Sequence, residues 1–145
     1  MVSLREARQA AGLSQSELAE LSGVAAPNIS AYESGRRRAS AAMRDRLFGA
    51  MTKPSERLRT HRTQVCELIA QHGAMAPRVF GSVARGTDRP SSDIDILVRV
   101  PPEAAWSFGA LKPALERVLG TPVDLISEGG LKPKHDSILR EAVPL

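Results

Sequence analysis

The stretch that decides this chain is RVFGSVARGTDRPSSDIDILVRV, Arg78–Val100. It opens on an apolar pair, breaks at Gly81-Ser82 and, ten residues later, enters a run where Asp93 and Asp95 stand among isoleucine, leucine and valine. Ile94, Ile96 and Val98 alternate with the two aspartates at the period of two that belongs to a strand. Desolvating a carboxylate is costly, so packing does not account for either aspartate. Residues two apart on a strand project from one side, with Cα atoms roughly 6.5–7 Å apart. Two like charges converging on one point call for a shared cation. Mg²⁺ suits such a place, being a hard ion held by one or two carboxylates plus substrate phosphates.

The flanking segments add to the same chemistry. TPVDLIS reads as a later strand with Asp124 among apolar neighbours, and if it lies beside the first, its carboxylate completes a metal-binding triad. Gly81 lets backbone approach a ligand closely, and free N–H groups at the start of the following turn favour phosphate. Ser82 and Arg85 sit in that turn. A phosphate cradle beside metal carboxylates is the apparatus of phosphoryl or nucleotidyl transfer.

Lys53-Pro54-Ser55 breaks one helix, and Ser55 is expected to cap the next, which runs to about His72 and buries Leu58, Val65, Leu68 and Ile69. Gly109 and Pro113 predict an interrupted helix in AAWSFGALKPALERVLG, and KHDSILREAV predicts a final helix. The segment 54–145 is therefore expected to be α+β, a mixed sheet of three or more strands with helices on one face. The boundary falls between 53 and 54.

Residues 1–53 read as four short helices. Ser3 with Glu6 and Ser14 with Glu17 are cap pairs three apart, Gly12, Gly23 and Gly35 are stops, and Pro27 sits where a first turn tolerates it. Helices this short need one another, and Leu4, Ala7, Leu18, Leu21, Val24, Ile29 and Leu47 form the expected core. Charge is uneven: +3 over 1–53, +3 over 54–90 and −2 over 91–145. The basic front suits a polyanion.

Other classes are disfavoured. Aromatics are only 3% of the chain, too few for a base-stacking platform. A single cysteine, Cys66, forbids an intrachain disulfide, and His61, His72 and His135 lack metal-ligand spacing. No apolar run approaches the roughly 20 residues of a membrane span. MVSLREARQAAG has no apolar leader core, so the cytoplasm is the expected compartment.

Two family resemblances rest on these residues. GLSQSELAELSGVAAPNISAYESGRR resembles the Xre/Cro-like helix-turn-helix family over about Leu4 to Met51. The resemblance implies a DNA-binding domain over 1–53 that binds a double-stranded operator, with the third helix in the major groove. Gln15, Asn28 and Ser30 are then the polar candidates for base edges, Arg36, Arg37 and Arg38 reach phosphates, and Arg8 pairs with Glu33. Where that family commonly has Ser-Gln-Ser-Thr, this chain has Ala25-Ala26-Pro27-Asn28. A symmetric operator implies a homodimer.

Gly81-Ser82, Asp93-Ile94-Asp95 and Asp124 resemble the minimal nucleotidyltransferases of the DNA polymerase beta superfamily over about Ser55 to Leu145. This implies that Gly81, Ser82 and Arg85 bind the triphosphate of ATP, while Asp93, Asp95 and Asp124 bind Mg²⁺ and are catalytic. Together the two resemblances imply an antitoxin that transfers AMP to a HEPN ribonuclease toxin and represses its own operon. The alternatives are a non-catalytic nucleotide-sensing regulator and a transferase acting on a small molecule.

Overall fold

The computed structural model describes residues 2–145. By proximity the chain falls into two compact units, one up to Lys53 with Arg89–Ser91, the other Pro54–Asp88 with Ser92–Leu145.

The first unit is helical. Helix α1, Leu4–Ala10, starts with a reciprocal cap: Glu6 N–H donates to the Ser3 hydroxyl (3.1 Å) and Ser3 N–H to the Glu6 carboxylate (3.0 Å). Ser14 caps α2, Gln15–Ser22, which Gly23 ends at φ +72°. Helix α3, Ala26–Glu33, has Pro27 in its first turn and no side-chain cap, and Ser40 caps α4, Ala41–Ala50. Leu4, Leu18, Val24, Ile29 and Leu47 are buried as expected, joined by Leu13 and Met51. Leu21 is not part of this core, being 38% exposed. Ser22 takes the inward position one turn after Leu18 instead, its hydroxyl donating to Leu18 O at 2.6 Å and accepting from Val24 N–H.

The second unit begins with two helices where one was expected: α5, Pro54–Thr60, and α6, Arg62–Gln71. His61 separates them at φ −108°, ψ 16°, with its ring nitrogen on Arg57 O and the Thr60 hydroxyl on Glu56 O. Side chains bonded back to helix carbonyls weaken the ladder at that point. Ser55 is not the cap of α5; its own N–H donates to the buried Asp88 carboxylate at 2.9 Å.

The rest alternates strand and helix: β1 Met75–Phe80, α7 Gly81–Arg85, β2 Ile94–Arg99, α8 Ala105–Leu119, β3 Val123–Ser127, α9 Asp136–Glu141 and β4 Val143–Pro144. The sheet order is β3-β2-β1-β4, with β2–β3 parallel and both other pairs antiparallel, so the sheet is mixed. Helix α8 is the crossover that a parallel pair requires. It runs unbroken through Gly109 and Pro113, contrary to expectation. Those two residues lie four apart on the exposed side, while Leu111, Ala114, Leu115 and Leu119 bury the opposite face. Ile94, Ile96 and Val98 pack with the buried residues of α5, α6 and α8, which puts these helices on one face of the sheet. No helix among the described residues is long and apolar enough to cross a membrane.

Candidate functional site

The register of the sheet assembles the carboxylates. Parallel pairing of β2 with β3 sets Asp95 directly opposite Asp124, on strands about 4.8 Å apart. Antiparallel pairing of β1 with β2 sets Phe80 opposite Asp95, so the chain leaves β1 at Gly81 against the Asp95 side chain. Gly81 has φ +70°, and a Cβ there would lie 2.0 Å from Asp95 Oδ2 and 3.0 Å from its Cγ. Backbone conformation and contact both demand glycine. Asp93 lies one residue before β2 and is exposed, as is Asp124, whereas Asp95 is half-buried.

Burial pushes the Asp95 carboxyl above the ordinary aspartate range, and the charges of Asp124 and Asp93 push it further. Arg85 opposes them, and Glu141 adds to the rise. Excess negative charge shared by two neighbouring strands is what a cation relieves. Among the described residues no three His, Cys, Asp or Glu side chains close into a ready-made metal cage. The donor set is nevertheless all carboxylate oxygen, open on the Asp93 and Asp124 side, which fits Mg²⁺ held by few protein ligands and substrate phosphates.

Ser82 is half-buried in the first turn of α7, and Arg85 ends that helix with its guanidinium paired to Glu141. Glu141 is not among the site residues expected from the sequence. A signal existed: it is the last residue of α9, where the helix dipole disfavours an acid unless a cation answers it.

In the first unit, Arg8 grips Glu33 with two N–H groups, at 2.6 and 3.2 Å, and donates a third to Leu13 O at 2.7 Å. The Glu33 side chain has no exposed surface, and that of Arg8 is 11% exposed. Burial alone would raise the Glu33 carboxyl, but hydrogen bonds from Arg8 and Gln15 and the charges of Arg8 and Arg5 hold it below the ordinary range. The expected Arg8–Glu33 pair is therefore present. Gln15 spends an amide N–H on Glu33 at 2.6 Å, so this candidate for base contact also holds α2 to α3. Asn28 and Ser30 lie on α3, half-buried, and Asn28 Oδ1 accepts from Arg37 at 3.4 Å. Arg36, Arg37 and Arg38 are all exposed between α3 and α4, Arg37 lying 5.9 Å from the Tyr32 ring centroid.

Two families of known proteins match separate parts of the chain. Residues 4–44 match the helix-turn-helix family and residues 58–145 the nucleotidyltransferase domain family. A Methanocaldococcus jannaschii protein assigned as a protein adenylyltransferase is 37% identical over 82 residues, 55% of this chain and 88% of that one. Protein adenylyltransferase MntA of Thermococcus cleftensis is 38% identical over 81 residues, 53% of this chain and 80% of its own length. A solved structure described as a minimal nucleotidyltransferase superposes with a TM-score of 0.57 at 48% identity, covering 63% of this chain and 95% of that one. The carboxylates abreast on β2 and β3, with glycine against them, thus lie in a region shared with these proteins, and the chain belongs to the nucleotidyltransferase domain family, with a helix-turn-helix region ahead of that domain.

Proposed function

We propose that residues 1–53 bind an operator duplex and that residues 54–145 transfer AMP from ATP to a hydroxyl of a partner protein. The partner proposed is a HEPN ribonuclease toxin, the setting is the cytoplasm, and the chain represses its own operon as an antitoxin, acting as a homodimer on a symmetric site. The observation that carries the transferase reading is the fit of Gly81 against Asp95 with Asp124 abreast. The names of the M. jannaschii and T. cleftensis relatives support protein adenylylation in particular.

Gly81 and Ser82 hold the triphosphate, and Arg85 supplies positive charge to it. Asp93, Asp95 and Asp124 would hold Mg²⁺, which when bound neutralises the triphosphate and the departing pyrophosphate. The acceptor hydroxyl oxygen bonds to the α-phosphorus, the bond from that phosphorus to the α–β bridging oxygen breaks, and pyrophosphate leaves. Asp124, exposed at the open side of the site, takes the hydroxyl proton. In the helix-turn-helix region, Asn28, Ser30 and Gln15 face base edges, and Arg36, Arg37 and Arg38 face phosphates.

The test is incubation of the whole chain with labelled ATP, Mg²⁺ and the product of the neighbouring gene. Asp93→Asn and Asp95→Asn are each expected to abolish transfer while DNA binding persists. Asp124→Asn is expected to suppress transfer but leave ATP binding measurable. ATP affinity indifferent to Mg²⁺ and to both of the first two substitutions would overturn the transferase site. Binding without transfer to any acceptor would make the chain a nucleotide-sensing regulator instead.

A further inference from the structure

The Arg85–Glu141 ion pair lies on the surface, with side chains 56% and 27% exposed. Pairs this open contribute little to stability, so the fold does not explain the contact. Its construction is nonetheless deliberate. Strand β4 pairs Pro144 with Arg78 and Val143 with Val79, and Glu141 ends α9 two residues before that pairing begins. Beyond it, Leu145 N–H donates to Pro77 O at 3.1 Å and fastens the segment. The carboxylate delivered this way engages one Nη of Arg85. A guanidinium has five N–H donors, and no other hydrogen bond of the Arg85 side chain is seen among the described residues.

We infer that Glu141 is a positioning residue for the nucleotide: it holds Arg85 by one N–H at the mouth of the acidic site, leaving the rest of the fork to receive the triphosphate. The inference rests on the reading of Arg85 as a nucleotide-binding group. A long arginine on a short helix otherwise samples many rotamers, and ordering it on binding weakens affinity. Glu141 orders it beforehand. Its own negative charge is already committed to the guanidinium, so it acts on the phosphates through Arg85 rather than against them.

The experiment titrates a non-hydrolysable ATP analogue, with Mg²⁺, into the full chain, Glu141→Ala, Arg85→Ala and the double variant, with KM and kcat for transfer measured in parallel. Glu141→Ala is expected to weaken nucleotide affinity and raise KM about tenfold while kcat changes much less. In the Arg85→Ala background the same change is expected to have no further effect, and Glu141→Gln, which keeps a hydrogen-bond acceptor, to recover part of the affinity. Circular dichroism checks the fold, and if the alanine variant unfolds, Glu141→Gln with and without Arg85 decides the coupling. Unchanged or tighter nucleotide binding by Glu141→Ala, or an equal loss with Arg85 already removed, overturns the inference alone. A wild-type chain that binds no nucleotide overturns the transferase reading and this one with it.

Discussion

Gly81→Ala is the sharpest perturbation available at the site. At φ +70° a residue with a Cβ costs about 1–2 kcal/mol of backbone energy. The new methyl would also stand 2.0 Å from Asp95 Oδ2, and crowding of this kind typically costs about 1–3 kcal/mol. A carboxylate can rotate away, so the crowding falls at the lower end, for a total of about 2–3 kcal/mol. The rotation carries the oxygen off its place beside Asp124, and a displacement near 1 Å at a reacting centre lowers rate about 100-fold. Urea unfolding of the whole chain, with native-state hydrogen exchange of the β1 and β2 amides, reads the stability loss. Adding Asp95→Ala to Gly81→Ala is expected to recover the crowding part and leave the backbone part. If Gly81→Ala matches the wild type in exchange protection, ATP affinity and transfer, the contact between Gly81 and Asp95 is not what makes the site.

Two further outcomes concern the first unit. Arg8→Ala strands a carboxylate with no exposed surface, a loss that usually costs about 3–5 kcal/mol; Gln15 and Arg5 remain near Glu33, so about 3 kcal/mol is expected in hydrogen exchange of α1 and α3. Because the folded Glu33 carboxyl lies below its unfolded value of about 4.5, its contribution is complete above that pH and is lost as pH falls through the folded value. The wild type is therefore expected to lose protection in these helices below about pH 4.5, and Arg8→Ala to show a weaker acid dependence; identical acid profiles would exclude the pair as its source. Replacing Arg36, Arg37 and Arg38 together by alanine is expected to weaken binding to every duplex and flatten the salt dependence, by about one unit of slope for each phosphate no longer neutralised. Filter binding over a salt series reads this, and an unchanged slope shows that these arginines do not touch phosphate.

What the sequence made legible was whatever local rules write directly. Strand β2 announced itself by alternation, and the caps at Ser3 and Ser14 stood in front of helices that formed as spaced. Illegible features depended on partners far along the chain. Asp88 caps α5 from 33 residues away, and no local pattern identifies such a donor–acceptor pair. Strand β4 is two residues long, with Pro144 on an edge where its missing N–H is harmless, so it gave no periodic signal. Helix α8 survived its two breakers because tertiary burial outweighs propensity, which composition alone does not weigh. Within the site, Asp95 and Asp124 were readable as isolated carboxylates in apolar strands. That they stand opposite each other depends on the parallel register, and the meeting of Glu141 with Arg85 spans 56 residues of sequence.

Glu33 and Asp95 show how one physical rule separates scaffold from site. Both are acids whose burial alone favours the neutral form. Glu33 receives two N–H groups from Arg8 and one from Gln15, and its carboxyl ends below the usual range. Asp95 has no hydrogen bond or ion pair to its carboxylate among the described residues, and its carboxyl ends above that range. Desolvation is answered in one case and left standing in the other. Nothing in packing favours the second arrangement, since an apolar residue at 95 would relieve the repulsion from Asp93 and Asp124 at once. Gly81 keeps even backbone atoms close against that carboxylate without supplying a counter-charge. An unanswered acid on a central strand, with its open side toward two more acids, is the arrangement expected under the proposed function, in which a divalent cation arriving with the nucleotide answers the charge.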